Sequence, residues 1–144
     1  MEVTINKIAY IGATMDLIHS GHINIINEAK KLANYVIVAL NTDEFVARFK
    51  RKPIMTLSER LTVISNLKNV DLCIVNDANE HGEIMLERYK PNFVLFGSDY
   101  TFERYKKQLG VTDEFLTKYN IQLIQVPYTS AISTTDLINR CKLH

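Results

Sequence analysis

The chain has 144 residues, 47% hydrophobic and 23% charged, with a formal net charge of +1. That length suits one domain with a real core, and the composition is ordinary for a soluble globular protein. No apolar run reaches membrane-span length, the opening MEVTINK lacks a secretory apolar stretch, and the near-neutral balance excludes a strong general field for nucleic acid.

In chain order, KIAYIGA (7–13) reads as the first strand, followed by a helical pattern in HINIINEAKKLA that puts Ile23, Ile26, Ala29 and Ala33 on one face. YVIVALN (35–41) is the second strand, and RFKRK (48–52) is the one basic cluster. LSERLTVISNLK places Leu57, Leu61, Ile64 and Leu67 on one helix face, with Thr56-x-x-Glu59 as a capping box at its start. VDLCIVN (70–76) is the third strand, and Cys73 within it reads as a small core residue. GEIMLERYK is a short helix, FVLFGS (93–98) the fourth strand, TDEFLTKYN another short helix and IQLIQVP (121–127) the fifth strand. STTDLINRCK closes the chain as a helix, with Ser133-x-x-Asp136 at its start. Cys73 and Cys141 fit no metal spacing, and the chain is expected to be cytoplasmic.

Strands alternating with helices, each strand nearly continuous in apolar residues, predict an α/β domain: a parallel sheet covered on both faces, over residues 1–144. Right-handed crossovers put helices on both sides, and ligands bind at the carboxyl ends of the strands. Position 13 is at such an end, and there the chain reads ATMDLIHSGH (13–22). His19 and His22 are three apart at a helix start, so they share a face. A helix start offers free N–H groups and the positive end of the dipole, and Gly21 removes a side chain where something approaches the backbone. Two imidazoles there can donate to a polyphosphate and support charge that develops on it. The spacing alone leaves surface, structural and metal-binding roles open beside this anion site. A metal site needs more ligands, and His81 and His144 are the remaining histidines.

TMDLIHSGH resembles the T-F-D-x-x-H-x-G-H signature of the cytidylyltransferase branch of the nucleotidyltransferases, and AISTTDLI (131–138) resembles their G-I-S-T-T motif. NTDEF (41–45), SER opening a helix, VD starting the third strand and GSDY (97–100) extend the likeness over nearly the whole chain. The pattern is most similar to the glycerol-3-phosphate cytidylyltransferases. The resemblance implies a Rossmann-like fold, CMP transfer from CTP to a small phosphorylated alcohol with release of pyrophosphate, Mg2+, and a homodimer. It implies neither a nucleic-acid nor a membrane partner.

Carried over by position, His19 and His22 contact the nucleotide phosphates and stabilise the pentavalent phosphorus. Thr14 helps hold the phosphates, and Asp16 orders the loop. Ala13, Met15, Gly21 and Thr129 belong to the nucleotide site, Ser133 and Thr134 bind the triphosphate at a helix start, and Asp99 lies near the base and ribose. Ser133 can cap its helix as well. Asp71 also matches a family position. Lys50, Lys52, Arg60, Lys68 and Tyr128 are candidates for phosphate or acceptor contact.

The chain departs from the pattern in places. Ala13 and Met15 stand where glycine and phenylalanine are usual. Tyr128 replaces an arginine, Lys68 stands where another arginine is found, and the basic loop of Arg48, Lys50, Arg51 and Lys52 is shifted in register. The segment 101–120 is longer than its counterpart. These changes fall where the acceptor would be seen, so an acceptor other than glycerol 3-phosphate is expected. RKPIMTLSER (51–60) resembles a loop of related adenylyltransferases acting on sugar phosphates or flavin, which leaves ATP as an alternative to CTP.

Overall fold

Each of the five apolar runs forms a strand in the computed structural model, which describes residues 7–127, 129 and 132–144. In chain order the elements are β1 (Ile8–Ala13), α1 (Ser20–Leu32), β2 (Tyr35–Asn41), α2 (Asp43–Ala47), α3 (Leu57–Ser65), β3 (Leu72–Asn76), α4 (Gly82–Tyr89), β4 (Phe93–Gly97), α5 (Phe102–Leu109), α6 (Asp113–Lys118), β5 (Gln122–Val126) and α7 (Thr134–Lys142). The strands pair in parallel in the order β3-β2-β1-β4-β5.

Alternate residues point to opposite faces, and the inner strands β2, β1 and β4 are covered on both, whereas the edge strands β3 and β5 are only partly buried. On one face Ala9, Ile11, Val38 and Leu95 pack with Ile26 and Ala29 of α1 and Ile64 of α3. On the other, Tyr10, Ala39 and Phe96 pack with Met85 and Leu86 of α4 and with Tyr105 and Leu109 of α5. Cys73 is half-buried beside the first of these clusters, and burial pushes its thiol up to about 11. No helix among the described residues is long and apolar enough to cross a membrane.

Two helices were not expected from the sequence. Thr42 starts α2 by accepting from the Phe45 N–H at 3.2 Å. Thr101 starts α5 in the same way, and Gly110 ends it at φ +79°, a conformation glycine adopts without strain. A signal for α5 was present: Phe102, Tyr105 and Leu109 lie on one helical stripe among charged neighbours. The Thr56–Glu59 capping box forms with both bonds, at 2.9 and 3.2 Å.

The chain leaves β1 toward β2 and β3, then returns to place β4 and β5 on the other side of β1. The sheet therefore reverses between β1 and β4. There the ladder covers only Ala9↔Phe93 and Tyr10↔Val94, whereas β1 pairs with β2 from Ile8↔Tyr35 to Ala13↔Leu40. The carboxyl ends of β1 and β4 splay apart, and a crevice opens where such sheets bind ligands.

Candidate functional site

The loop after β1 is strained and held. Met15 and Leu17 have φ of 57° and 45°, a left-handed region that non-glycine residues occupy at a cost of about 1–3 kcal/mol each. Asp16 between them is the anchor. Its carboxylate accepts from the N–H groups of Ile54 (2.8 Å) and Met55 (2.9 Å), and from Arg51 (3.2 Å). Burial works against that charge, but these donors hold its carboxyl below the usual carboxylate range. The aspartate thus ties the first loop to the 51–55 segment.

Arg60 completes the tie. It is wholly buried, and it donates to the carbonyls of Thr14 (2.7 Å), Asn41 (2.9 Å) and Met55 (3.3 Å) and to Asp43 (2.6 Å). A side chain with its donors turned to backbone in the interior has no face for a ligand. The sequence expectation of phosphate or acceptor contact is corrected here: Arg60 is a brace beneath the loop. From the opposite side, Tyr105 stacks on Phe96 with ring centroids 4.5 Å apart and donates to the Gly12 carbonyl at 3.1 Å.

The two histidines make an unusual helix start. His19 is the N-cap of α1, and its Nδ1 accepts from the Gly21 N–H at 3.0 Å. The Nδ1 of His22 accepts from the His19 N–H at 3.1 Å. Each imidazole thereby serves in the reciprocal cap usually made by a hydroxyl and a carboxylate. An Nδ1 that accepts a backbone N–H carries no proton, so the proton of each neutral ring sits on Nε2. The rings lie 4.0 Å apart. Burial pushes His22 down to about 3, helped by His19 and Lys50 nearby, and burial lowers His19 as well. Both rings are neutral donors at neutral pH.

This changes two expectations. The first-turn N–H groups of Gly21 and His22 are not free for phosphate; they bond to His19 Nδ1 and to the His19 carbonyl. The helix start presents Nε2–H groups in their place. Gly21 makes room for His19, not for a ligand: a Cβ there would lie 2.7 Å from His19 Cε1 and 2.9 Å from its Nδ1.

Above the splayed strands lies a cleft with two lobes, of ≈ 190 and ≈ 230 Å³. His22, Ile25, Lys50, Gly97, Asp99 and Thr134 line both lobes. Ala13, Thr14, Met15 and Asp16 line the first, and His19, Gly21, Thr129 and Ser133 line the second. Ser133 caps α7 by accepting from the Asp136 N–H at 2.9 Å, and Thr134 donates to the Asp16 carbonyl at 2.9 Å. The first N–H groups of α7 have no acceptor within the helix, so the cleft receives a positive helix end from that side. Thr129 accepts from Asn24 at 3.0 Å, which ties the chain before α7 to α1. Partial burial and the adjacent Arg51 hold the Lys50 ammonium below its ordinary value.

The structure therefore gathers twelve expected positions from segments far apart in sequence, and it leaves others elsewhere. Lys52 is exposed and lines neither lobe. Lys68 is exposed in the turn before β3, at the amino end of the sheet and opposite the cleft. Asp71 is at that end too, accepting from the Val36 N–H at 2.8 Å and pairing with Lys30 at 2.9 Å. Tyr128 lies outside the described residues. Arg51, Asn41, Tyr105 and Gln108 line the first lobe without having been expected there. Of these, Arg51 had a signal, since it belongs to the basic cluster.

Among the described residues no three metal-binding side chains converge. Asp16 is committed to its loop, which leaves Asp99 as the cleft carboxylate open to a cation. The described residues by themselves do not make a complete Mg2+ site.

Comparison with known proteins bears on this geometry. Residues 10–140 match the model of the family described as cytidylyltransferase-like. The bifunctional protein HldE of Caulobacter vibrioides is 29% identical over 136 residues, covering 93% of this chain and 27% of that protein. The bifunctional protein HldE of Nitrosococcus oceani is 37% identical over 126 residues, covering 86% of this chain and 25% of that protein. The chain thus spans about a quarter of the length of the curated relatives it matches. Among solved structures, the lipopolysaccharide core biosynthesis protein of Thermoplasma volcanium superposes with a TM-score of 0.73 at 23% identity, covering 88% of this chain and 100% of that one. Pantothenate synthetase of Thermus thermophilus superposes at 0.60 with 12% identity, covering 95% and 64%. These two likenesses concern the fold.

Proposed function

The chain belongs to the cytidylyltransferase-like family, within the nucleotidyltransferase class of enzymes, and on that premise we propose that it transfers CMP from CTP to a small phosphorylated acceptor. The observation that carries the reading is the histidine pair: two neutral imidazoles, each fixed by a backbone bond at Nδ1, lining a cleft at the sheet's reversal point. A phosphate oxygen of the acceptor attacks the α-phosphorus of the nucleotide. The new O–P bond forms as the bond to the bridging oxygen breaks, and pyrophosphate leaves with that electron pair. The acceptor phosphate is already an anion, so no base is needed. The Nε2–H groups of His19 and His22 donate to charge that grows on the phosphoryl oxygens, and preorganised donors of this kind are the larger part of such catalysis. Lys50 and the start of α7 hold the triphosphate, with Ser133, Thr134 and Thr129 around it, and Asp99 lies by the nucleoside. Thr14 and Asp16 keep the loop in place.

A magnesium ion would neutralise the triphosphate; Asp99 is the described cleft carboxylate that would be open to it, and such a small hard cation would take its remaining ligands from phosphate and water. The reading includes a cytoplasmic location, expected from composition and cysteine usage, and a homodimer, as the sequence resemblance implies.

One observation favours a second reading. RKPIMTLSER (51–60) resembles a loop of adenylyltransferases that act on sugar phosphates or flavin, which favours ATP in place of CTP and a sugar phosphate as acceptor. Competition between CTP and ATP, with pyrophosphate release measured against glycerol 3-phosphate and a set of sugar 1-phosphates, separates the two. Turnover with CTP and glycerol 3-phosphate supports the first reading. Turnover confined to ATP and a sugar phosphate replaces it with the second.

A further inference from the structure

Beside the first lobe a wider basin of ≈ 520 Å³ opens between α2 and α5. Lys50, Tyr100 and Gln108 line both, so the basin runs into the reaction cleft. The proposed chemistry uses none of the rest of it. Arg48, Lys50, Arg104 and Lys107 supply four cations to its walls, and Phe49 and Tyr100 supply rings. One carboxylate, Glu80, faces them, and it is already paired with Arg48 at 2.8 Å. The cations are laid on apolar surface: the Arg104 guanidinium sits 4.9 Å from the Tyr100 ring centroid, and the Lys50 ammonium 5.9 Å from that of Phe49. A guanidinium resting on a ring keeps its N–H edges free for a planar or tetrahedral anion.

The wall is built in advance. Tyr105 binds α5 to the end of β1, and Gly110 turns the chain back at its end. This wall also belongs to the segment 101–120, which is longer here than in the cytidylyltransferases the sequence resembles. A preformed basin with surplus positive charge and apolar walls, opening onto the cleft, suits an organic anion.

We propose that this basin is an acceptor subsite for a second anionic group, so that the acceptor is a carbon-rich molecule with two anionic ends, such as a sugar or polyol phosphate that also carries a phosphate or carboxylate. One end reacts in the cleft beside His22 and Lys50, and the other rests on Arg104 and Lys107. The assignment of the ends rests on the nucleotidyl-transfer reading.

Isothermal titration of the full chain at about 0.15 M salt, without nucleotide, tests it with three probes: glucose 1,6-bisphosphate, glucose 1-phosphate and glucose 6-phosphate. The bisphosphate is expected to bind about tenfold or more tighter than either monophosphate, the scale of one added charge-assisted contact. Arg104→Ala combined with Lys107→Ala is expected to remove that surplus while monophosphate binding and the melting temperature stay the same. Equal binding of the three probes, no binding of any, or a surplus that survives the double variant overturns the subsite. So does tighter binding of an acidic peptide than of the bisphosphate through the same two residues, which would make the basin a protein-docking surface. Because binding is read without turnover, a surplus seen in a protein that consumes no nucleoside triphosphate would refute the transfer reading and leave the subsite standing.

Discussion

Replacing Arg60 with Met tests whether this arginine is a brace or a ligand. The substitution keeps an unbranched apolar stem and removes the guanidinium with its charge and donors. Breaking a buried ion pair by removing one partner costs about 3–5 kcal/mol, because the remaining charge stays buried. Asp43 is 26% exposed and keeps some access to water, so the lower end, about 3 kcal/mol, is the fair expectation for that pair. The carbonyls of Thr14, Asn41 and Met55 also lose their donor, which adds about 0.5–1.5 kcal/mol for each that stays dry. At about 2–4 °C per kcal/mol for a chain of this size, the melting temperature should fall by at least about 6–12 °C. Urea unfolding followed by circular dichroism measures the loss directly. A loss below about 1 kcal/mol would refute the brace. If the KM for nucleotide or acceptor rose tenfold at the same time, the arginine would be reaching a ligand after all.

Gly21→Ala should separate stability from activity. The new methyl displaces the His19 ring and loses a cap of about 1 kcal/mol, while alanine returns about 1 kcal/mol of helix propensity. Unfolding free energy should stay within about 0.5 kcal/mol of wild type while kcat falls at least tenfold; unchanged kcat would show that the ring position is irrelevant. His19→Ala and His22→Ala should each lower kcat by roughly 10²-fold, the scale for a lost charge-stabilising donor, and near-wild-type turnover in both would end their assignment. Acid should destabilise the fold before its carboxylates titrate. His22 resists protonation down to about 3 in the folded chain but takes a proton near 6.5 when unfolded, so its stabilisation is complete above 6.5 and is lost as pH falls toward 3. Stability between pH 6 and 5 should drop by up to about 1.4 kcal/mol per pH unit, and His22→Asn should flatten that slope; a variant with the wild-type slope would contradict it.

The inner strands were legible because a strand buried on both faces leaves an almost unbroken apolar run; the edge strands β3 and β5 are only partly buried, and β5 was read through its exposed Gln122 and Gln125 from the apolar residues around them. The site's location was legible for a related reason: β1 ends at Ala13, and the histidines follow within one loop and one cap. α2 was hidden by its five-residue length, and α5 by its charged composition, although its apolar stripe was there to read. Arg60 could not be placed from sequence, because a burial site made of carbonyls from Thr14, Asn41 and Met55 has no residue pattern. Gly21 was understood in direction but not in object, since the group it admits is the ring two positions before it. Lys68 was misplaced because likeness of motif does not say at which end of a strand a turn lies.

The most direct test of nucleotidyl transfer is the product itself. The purified chain is incubated with magnesium, CTP or ATP, and a panel of phosphorylated alcohols, sugar phosphates and sugar bisphosphates, and the mixture is followed by phosphorus NMR. The expected result is a pair of coupled diphosphate resonances from a nucleoside diphosphate-linked product, growing in step with pyrophosphate and absent from the His19→Ala, His22→Ala double variant. Release of inorganic phosphate alone, or no linked product with either nucleotide and any acceptor, would contradict the account.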